Sequence, residues 1–311
     1  MSNLTPLFST IIPCYNSNIQ WLAECVTSVI QALSRVDLRG EVIIIDDGSV
    51  VSIKDMLHEF IPQDSQALLT FIKKQNGGLS SARNEGIKNA RGVYCHFIDD
   101  DDIVSVDFFS EMEAEIRKSR PDAIYCDSEF FDDHRKFDFP VTPDRSFASR
   151  IILGNCIHVN SVVVKKQLVQ ALNGFDEDLV ALEDWDLWLR LIRGGCHFKR
   201  VAKILVGVRI HPNSMSRNRA RMYSKMSELS IREMREHSAF WVGVLCNKRH
   251  VHSWVIAAYT YSFRSDRPSL HAHTCLLEAT AVIGPLYAVV HLVRQAAHTV
   301  LFHESSPHRT K

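Results

Sequence analysis

The chain has 311 residues, of which 46% are hydrophobic and 23% are charged, a composition typical of globular proteins. Its 36 basic and 36 acidic residues give a net charge of zero, so the overall charge does not indicate a polyanionic partner. Eight cysteines without a C-x-x-C pair argue against a zinc site or a disulfide framework and favour a reducing, cytoplasmic compartment. The opening residues M-S-N-L-T-P-L-F lack the features of a signal peptide, so none is expected.

The first half of the chain alternates short apolar runs with amphipathic stretches. The apolar runs predict strands over 8–13, 41–45, 68–73, 93–98 and 122–127. The amphipathic stretches predict helices over 19–34, 51–60, 80–90 and 107–117. Ser80 is the expected N-cap of the third helix, and Gly92 is expected to end it. This alternation is typical of an α/β protein with a parallel sheet.

The pattern continues less regularly toward the C-terminus. Residues 131–145 predict a loop, and strands are expected over 159–165 and 201–210. Residues 184–193 predict a strongly amphipathic helix, and the chain beyond 218 is expected to be mainly helical. We therefore predict two regions, residues 1–217 and residues 218–311.

The two predicted regions differ in charge. Residues 1–217 carry 24 basic and 30 acidic residues, whereas residues 218–311 carry 12 basic and 6 acidic residues. Within residues 218–311, the longest uncharged stretch, 279–293, is shorter than the roughly 18 residues that a membrane span needs. Residues 218–311 therefore predict either peripheral contact with a membrane surface or helices packed on the catalytic core or on a second copy. The oligomeric state is left open.

Polar residues follow three of the predicted strands. They are C-Y-N at 14–16, D-D-G-S at 46–49 and D-D-D-D at 99–102. Ligands of open parallel sheets bind outside the carboxyl ends of the strands, so these segments are expected to converge on one site. Such a concentration of carboxylates requires a cation or a ligand rich in hydrogen-bond donors, and hard oxygen ligands suit Mg2+ or Mn2+.

Several motifs in a fixed order together carry a family resemblance. P-C-Y-N is followed by I-I-I-D-D-G-S, N-G-G-L-S-S-A-R-N-E-G-I and G-V-Y-C-H-F-I-D-D-D-D, then by G-F-D-E-D-L-V-A-L-E-D-W-D-L-W-L-R and V-R-I-H-P-N-S-M-S. This order, over about residues 7–216, resembles the family 2 glycosyltransferases of the GT-A fold. The resemblance implies a mostly parallel sheet flanked by helices and an inverting transfer of sugar from a nucleotide-sugar donor.

The resemblance also implies a donor site. It assigns nucleotide-sugar contacts to Pro13, Tyr15, Asn16, Asp47, Arg83, Asp99, Asp100 and Glu183. Tyr15 would stack on the base, although it could instead cap the core, and Asp47 would accept a hydrogen bond from uracil N3–H. Asp46 would contact the base or bond the amides of Gly48 and Ser49. Arg83 would reach the base or the diphosphate, with an exposed surface position as the alternative.

The reaction centre is implied in the same way. Asp101 and His211 would bind Mn2+ or Mg2+, either Asp99 or Asp100 would bond the ribose, and Asp102 could cap the next helix. Asp184 would be the catalytic base. The remaining candidates are weaker. Trp185 would contact a sugar, although Trp185 and Trp188 are otherwise expected to pack in the core. Arg209 and Ser214 would contact phosphate.

The function expected from the resemblance is transfer to a hydroxyl of a saccharide or lipid-linked saccharide, in the synthesis of a cell-surface polysaccharide or lipopolysaccharide. The alternative is a non-catalytic nucleotide-sugar or partner-binding module on the same fold, which would be expected to lose Asp101 or Asp184. A nucleotidyltransferase would need a glycine-rich basic loop after the first strand, which P-C-Y-N-S-N lacks. No aromatic-basic pattern supports binding of nucleic acid. The donor sugar, the acceptor and the linkage are not determined.

Overall fold

The computed structural model describes residues 5–36, 40–132, 136–138 and 154–212, together with residues 147 and 151 and isolated positions between 222 and 237. The chain divides into two compact units, Met1–Ser214 and Met215–Lys311. The first unit contains the sheet, while most of the segment predicted to be helical beyond residue 218 lies outside the described residues. Among the described residues, no helix combines the length and apolar character needed to cross a bilayer.

The described strands form one mixed sheet. They are β1 (Phe8–Cys14), β2 (Gly40–Asp46), β3 (Leu69–Lys73), β4 (Tyr94–Phe97), β5 (Ile103–Val104), β6 (Ala123–Phe131), β7 (Lys136–Asp138), β8 (Val162–Lys165) and β9 (Phe198–Arg209). Their order is β3-β2-β1-β4-β8-β6-β9-β5, with β7 paired to β6. The pairings within β3-β2-β1-β4 are parallel, as is the pairing of β6 with β9, and the others are antiparallel.

Helices connect the strands and cover the sheet. They are α1 (Ile19–Ser34), α2 (Ile53–His58), α3 (Gln63–Gln66), α4 (Leu79–Asn89), α5 (Phe108–Ser119), α6 (Lys166–Ala171) and α7 (Glu183–Arg193), with a 3-10 turn at Val159–Ser161. The side chain of Asn18 caps α1 by accepting from the amides of Gln20 and Trp21. The predicted α/β class is confirmed in these elements.

Three local predictions were wrong. Helix α4 begins after Gly78, whose φ of 89° no L side chain adopts readily, so Ser80 lies buried inside the helix rather than at its cap. The predicted loop over 131–145 contains the end of β6 and the strand β7, which pairs with β6. The predicted strand over 159–165 begins as a 3-10 turn, and only its second half joins the sheet.

The core lies on both faces of the sheet. Side chains alternate along β1, so Phe8 and Ile12 pack with α1 and α5 whereas Ile11 faces α4. Helix α4 approaches β1 so closely that a Cβ atom at Gly86 would overlap the Ile11 side chain. This contact brings the first turns of α4, including Arg83, against the carboxyl edge of the sheet.

Candidate active site

Three loops leave the same edge of the sheet, after β1, β2 and β4. Cys14 pairs with Asp46 where β1 and β2 end side by side, and β4 runs parallel to β1 on its other side. Because the three strands point in one direction, the segments 15–17, 47–50 and 98–102 emerge together. The predicted convergence of the polar strand ends is confirmed.

The loop after β1 presents an aromatic ring on a fixed backbone. Asn16 has a φ of 49°, its amide donates to Ser49 Oγ at 2.9 Å, and its Oδ1 accepts from the amide of Val50 at 3.0 Å. Tyr15 is 56% exposed, so it does not cap the core. Pro13, in contrast, is buried inside β1, which extends beyond it to Cys14.

The two acids after β2 hold loops in place. Asp46 accepts from the amide of Ser49 at 2.7 Å. Asp47 is buried and accepts from the amides of Gly77 and Gly78, with its nearer oxygens at 3.0 and 2.8 Å, and from Lys74 Nζ at 2.7 Å. The Asp47 carboxylate therefore already has three donors, which tie the β2 loop to the start of α4.

Each of the four consecutive acids at 99–102 has its own partner. Asp99 accepts a hydrogen bond from Arg83 Nη2 at 2.7 Å, and Asp100 accepts one from Ser17 Oγ. Asp101 lies 2.8 Å from His211 Nε2. Asp102 accepts hydrogen bonds from the Arg209 amide at 2.6 Å and from Asn160 Nδ2. Burial raises the pKa of Asp100 to about 7, and the adjacent carboxylates add to this rise. Separate donors hold the four side chains, and the raised pKa of Asp100 relieves part of the repulsion between them.

Asp102 is not a helix cap, because Asp107 occupies that position before α5 and Asp102 is buried. Its partner Asn160 is buried too, and the Oδ1 of Asn160 accepts from the Asp99 amide at 3.0 Å. Asn160 thus joins the two ends of the acidic segment. The sequence analysis did not identify Asn160. The signal available there was that two polar residues, His158 and Asn160, interrupt the apolar segment I-H-V-N-S-V-V-V.

Asp101 and His211 are the pair suited to a cation. Both are partly buried, with side chains 24% and 17% exposed, and the His211 ring lies 4.9 Å from the Trp21 ring between centroids. Arg209 Nε donates to the backbone oxygen of Asp101 at 2.9 Å, and its guanidinium lies 5.3 Å from the Trp21 ring centroid. Arg209 is therefore held by protein contacts and supports the Asp101 backbone.

A carboxylate and an imidazole fit a divalent cation such as Mn2+, while the carboxylate alone would suit Mg2+ better. Within the described part of the chain, no group of three or more metal-binding side chains gathers. The protein would thus supply two ligands, and water and phosphate oxygens would complete the coordination shell.

Arg83 is buried rather than on the surface. Its side chain is 1% exposed, Nη1 donates to Glu183 Oε1 at 2.6 Å, and Nη2 donates to Asp99 Oδ1 at 2.7 Å. The guanidinium also lies 5.3 Å from the centroid of the Phe175 ring. Arg83 therefore links the acidic segment after β4 to the first residue of α7.

Asp184 lies in the first turn of α7, beside this link. Its Oδ1 accepts from the Trp185 amide and its Oδ2 from Asn155 Nδ2, both at 2.7 Å. Burial raises the pKa of Asp184 to about 7, and the Glu183 charge adds to the rise while Arg83 opposes it. The helix begins after Leu182, whose φ of 63° is costly for a bulky side chain.

The other candidates near α7 are placed differently. Trp185 and Trp188 are fully buried, so both pack in the core and Trp185 has no face for a sugar. Ser214 lies outside the described residues. Ser17 and Asn155, which contact Asp100 and Asp184, were missed because their partners are far away in the sequence.

Residues 9–163 match the model of the family described as "Glycosyl transferase family 2". An uncharacterized glycosyltransferase of Rickettsia typhi is 26% identical over 275 residues, which cover 84% of this chain and 79% of that protein.

Two solved structures share the fold. TarS of S. aureus, residues 1–349 in complex with UDP-GlcNAc, superimposes with a TM-score of 0.65 at 16% identity, covering 88% of this chain and 81% of that chain. The mannosyltransferase PcManGT of Pyrobaculum calidifontis, in complex with GDP-Man and Mn2+, gives a TM-score of 0.62 at 17% identity over 96% of this chain and 81% of that chain. The motifs, the GT-A fold and the match over 9–163 agree: this chain belongs to the family 2 glycosyltransferases.

Proposed function

We propose that the protein is a metal-dependent, inverting glycosyltransferase that moves a sugar from a nucleoside-diphosphate sugar to a hydroxyl of a saccharide or lipid-linked saccharide. The observation that carries this proposal is the link through Arg83, which joins the acidic segment 99–102 to the residue before Asp184. A donor-binding edge and a candidate base are thereby held in one charged cluster.

The donor would bind across the edge of the sheet. Tyr15 is exposed on a clamped loop, so its ring can stack on a nucleobase, for which uracil is our expectation. The ribose hydroxyls would bond Asp99 or Asp100. Asp47 would contact the base only if one of its present donors were exchanged, so we favour a loop-holding role for Asp47.

Asp101 and His211 would hold the cation, for which we propose Mn2+ or Mg2+. The complex of PcManGT with GDP-Man and Mn2+ supports a divalent cation on this fold. A bound cation supplies positive charge that neutralises the donor diphosphate and the charge that develops when it leaves. On the protein side, Arg209 and Trp21 keep the two ligands in place.

The chemistry proposed for Asp184 is general base catalysis. The carboxylate removes the proton of the acceptor hydroxyl, the oxygen forms a bond to the anomeric carbon, and the bond from that carbon to the diphosphate breaks. Configuration inverts because there is one displacement. A pKa of about 7 suits this role, since the group is half ionised near neutral pH and still basic enough to accept a proton.

For the setting, we propose synthesis of a cell-surface polysaccharide or lipopolysaccharide at the cytoplasmic face of the membrane. This rests on the family membership and on the charge of residues 218–311, where basic residues outnumber acidic ones by two to one. Binding of a lipid-linked acceptor would place the donor site near the bilayer surface.

The test is a donor-hydrolysis and transfer screen. Purified protein with Mn2+ or Mg2+ is offered UDP-, GDP- and dTDP-sugars, and the nucleoside diphosphate released is measured. We expect metal-dependent release from one donor that is lost in Asp101→Asn and Asp184→Asn. The matched control Asp64→Asn replaces an exposed acid of α3 and should retain activity. Donor binding without release in the wild type would instead support the non-catalytic module.

A further inference from the structure

The carboxylate of Asp184 is oriented by one side chain from outside α7. The Trp185 amide that bonds Oδ1 belongs to the helix start itself, whereas Asn155 Nδ2, which bonds Oδ2 at 2.7 Å, comes from the segment before the 3-10 turn at 159–161. Two bonds to different oxygens fix the rotation of a carboxylate, while one leaves it free to turn. Asn155 therefore determines which lone pairs of Asp184 stay available.

The orientation of the Asn155 amide depends on the charge of its partner. An ionised carboxylate has only acceptors, so the amide must present Nδ2 to it, as it does here. Asn155 Oδ1 is then buried and, within the described residues, has no hydrogen-bond partner. This arrangement favours the ionised carboxylate, because a hydrogen bond donated by Nδ2 is stronger to the charged form than to the neutral one.

Neither charged neighbour of Asp184, Glu183 or Arg83, donates a hydrogen bond to its carboxylate. Glu183 is adjacent and repels a second negative charge, and Arg83 is already bonded to Glu183 and Asp99. Among the described residues, Asn155 is the one side chain that donates a hydrogen bond to Asp184. Its donor opposes the effect of burial and of Glu183 on the pKa of Asp184.

We propose that Asn155 is a positioning residue for the reaction, which aims the Asp184 carboxylate at the acceptor hydroxyl and favours its ionised form. The inference rests on the proposed role of Asp184 as the base. Asn155 touches neither donor nor acceptor in this scheme, and it acts only through Asp184.

The direct test is a carboxylate titration by 13C NMR of Asp-labelled protein, with the Asp184 signal assigned by its loss in Asp184→Asn. Asn155→Leu keeps the branched shape and the number of side-chain heavy atoms and removes the donor. We expect the pKa of Asp184 to rise by about one unit in this variant, since a hydrogen bond to the charged form is lost. The control Asn89→Leu removes an amide that bonds Glu85 at 2.8 Å on α4, away from the site, and should leave the Asp184 signal unchanged.

Enzyme kinetics distinguish a positioning role of Asn155 from a purely structural one. In Asn155→Leu the acidic limb of the kcat/KM profile should move to higher pH and the plateau should fall by about tenfold or more, since misplacing a catalytic group by 1 Å can cost about 100-fold. The Kd for UDP should change by less than about twofold, since Asn155 lies outside the proposed nucleotide contacts.

An unchanged Asp184 titration in a folded variant would overturn the inference. If Asn155→Leu does not fold, Asn155→Ser, which keeps a shorter donor, is titrated instead and should show a smaller rise in the same direction. If the wild type transfers no sugar from any donor, the proposed function fails, and the titration still decides whether Asn155 favours the ionised form of this carboxylate.

Discussion

Replacing Arg83 by Met tests the link between the acidic segment and α7. The guanidinium is 1% exposed and bonds Glu183, which is 9% exposed, and Asp99, which is 36% exposed. Removing one partner of a buried ion pair costs about 3–5 kcal/mol, because the remaining charge is left unpaired in the interior. The Asp99 pair is partly solvated and adds about 1 kcal/mol at most. We expect Arg83→Met to lower the free energy of unfolding by about 4 kcal/mol.

The assay is urea unfolding followed by tryptophan fluorescence, and two further variants are measured beside Arg83→Met. Lys203→Met breaks an exposed pair with Glu111 at 2.7 Å and should cost no more than about 1 kcal/mol. Glu183→Gln combined with Arg83→Met removes the unpaired charge, so the double variant should recover about half of the loss.

Two results would refute this reasoning. A loss below about 1 kcal/mol in Arg83→Met would mean that water reaches the carboxylates and solvates them. A double variant that is less stable than Arg83→Met alone would mean that the cost comes from lost packing, including the Phe175 contact, and not from the Glu183 charge.

Three further predictions concern other parts of the molecule. Tyr15→Ala should weaken UDP binding measured by calorimetry about 10–100-fold, because base–aromatic stacking contributes about 1–3 kcal/mol, and should leave Tm unchanged because the ring is exposed. The wild-type kcat/KM should rise tenfold per pH unit up to about 7 and then level off, because only ionised Asp184 accepts a proton; a flat profile down to pH 5 would contradict this assignment. Gly86→Ala should lower the free energy of unfolding by about 1–3 kcal/mol, because the added Cβ overlaps the Ile11 side chain, and equal urea midpoints would show that α4 moves aside freely.

The regular elements were readable from the sequence because they depend on local patterns. Helix α1 has the bounds predicted from its apolar spacing, and β2 lies around the predicted I-I-I run that is buried on both faces. The errors came where tertiary contacts override such patterns. Helix α4 starts after Gly78 and not at the predicted Ser80. Strand β7 forms in a polar stretch because it pairs with the edge of β6.

The residues of the candidate site could be named from the order of the motifs, and so could the sheet edge on which they meet. The sequence by itself therefore determined the family, the α/β class and the approximate location of the site. It could not show that Arg83 is buried between Asp99 and Glu183, or that Asn155 and Asn160 bond the acids. Those contacts join residues 16 to 100 positions apart. Only the packed sheet brings such residues within hydrogen-bonding distance, and burial there raises the pKa of Asp184 from that of an ordinary aspartate to about 7.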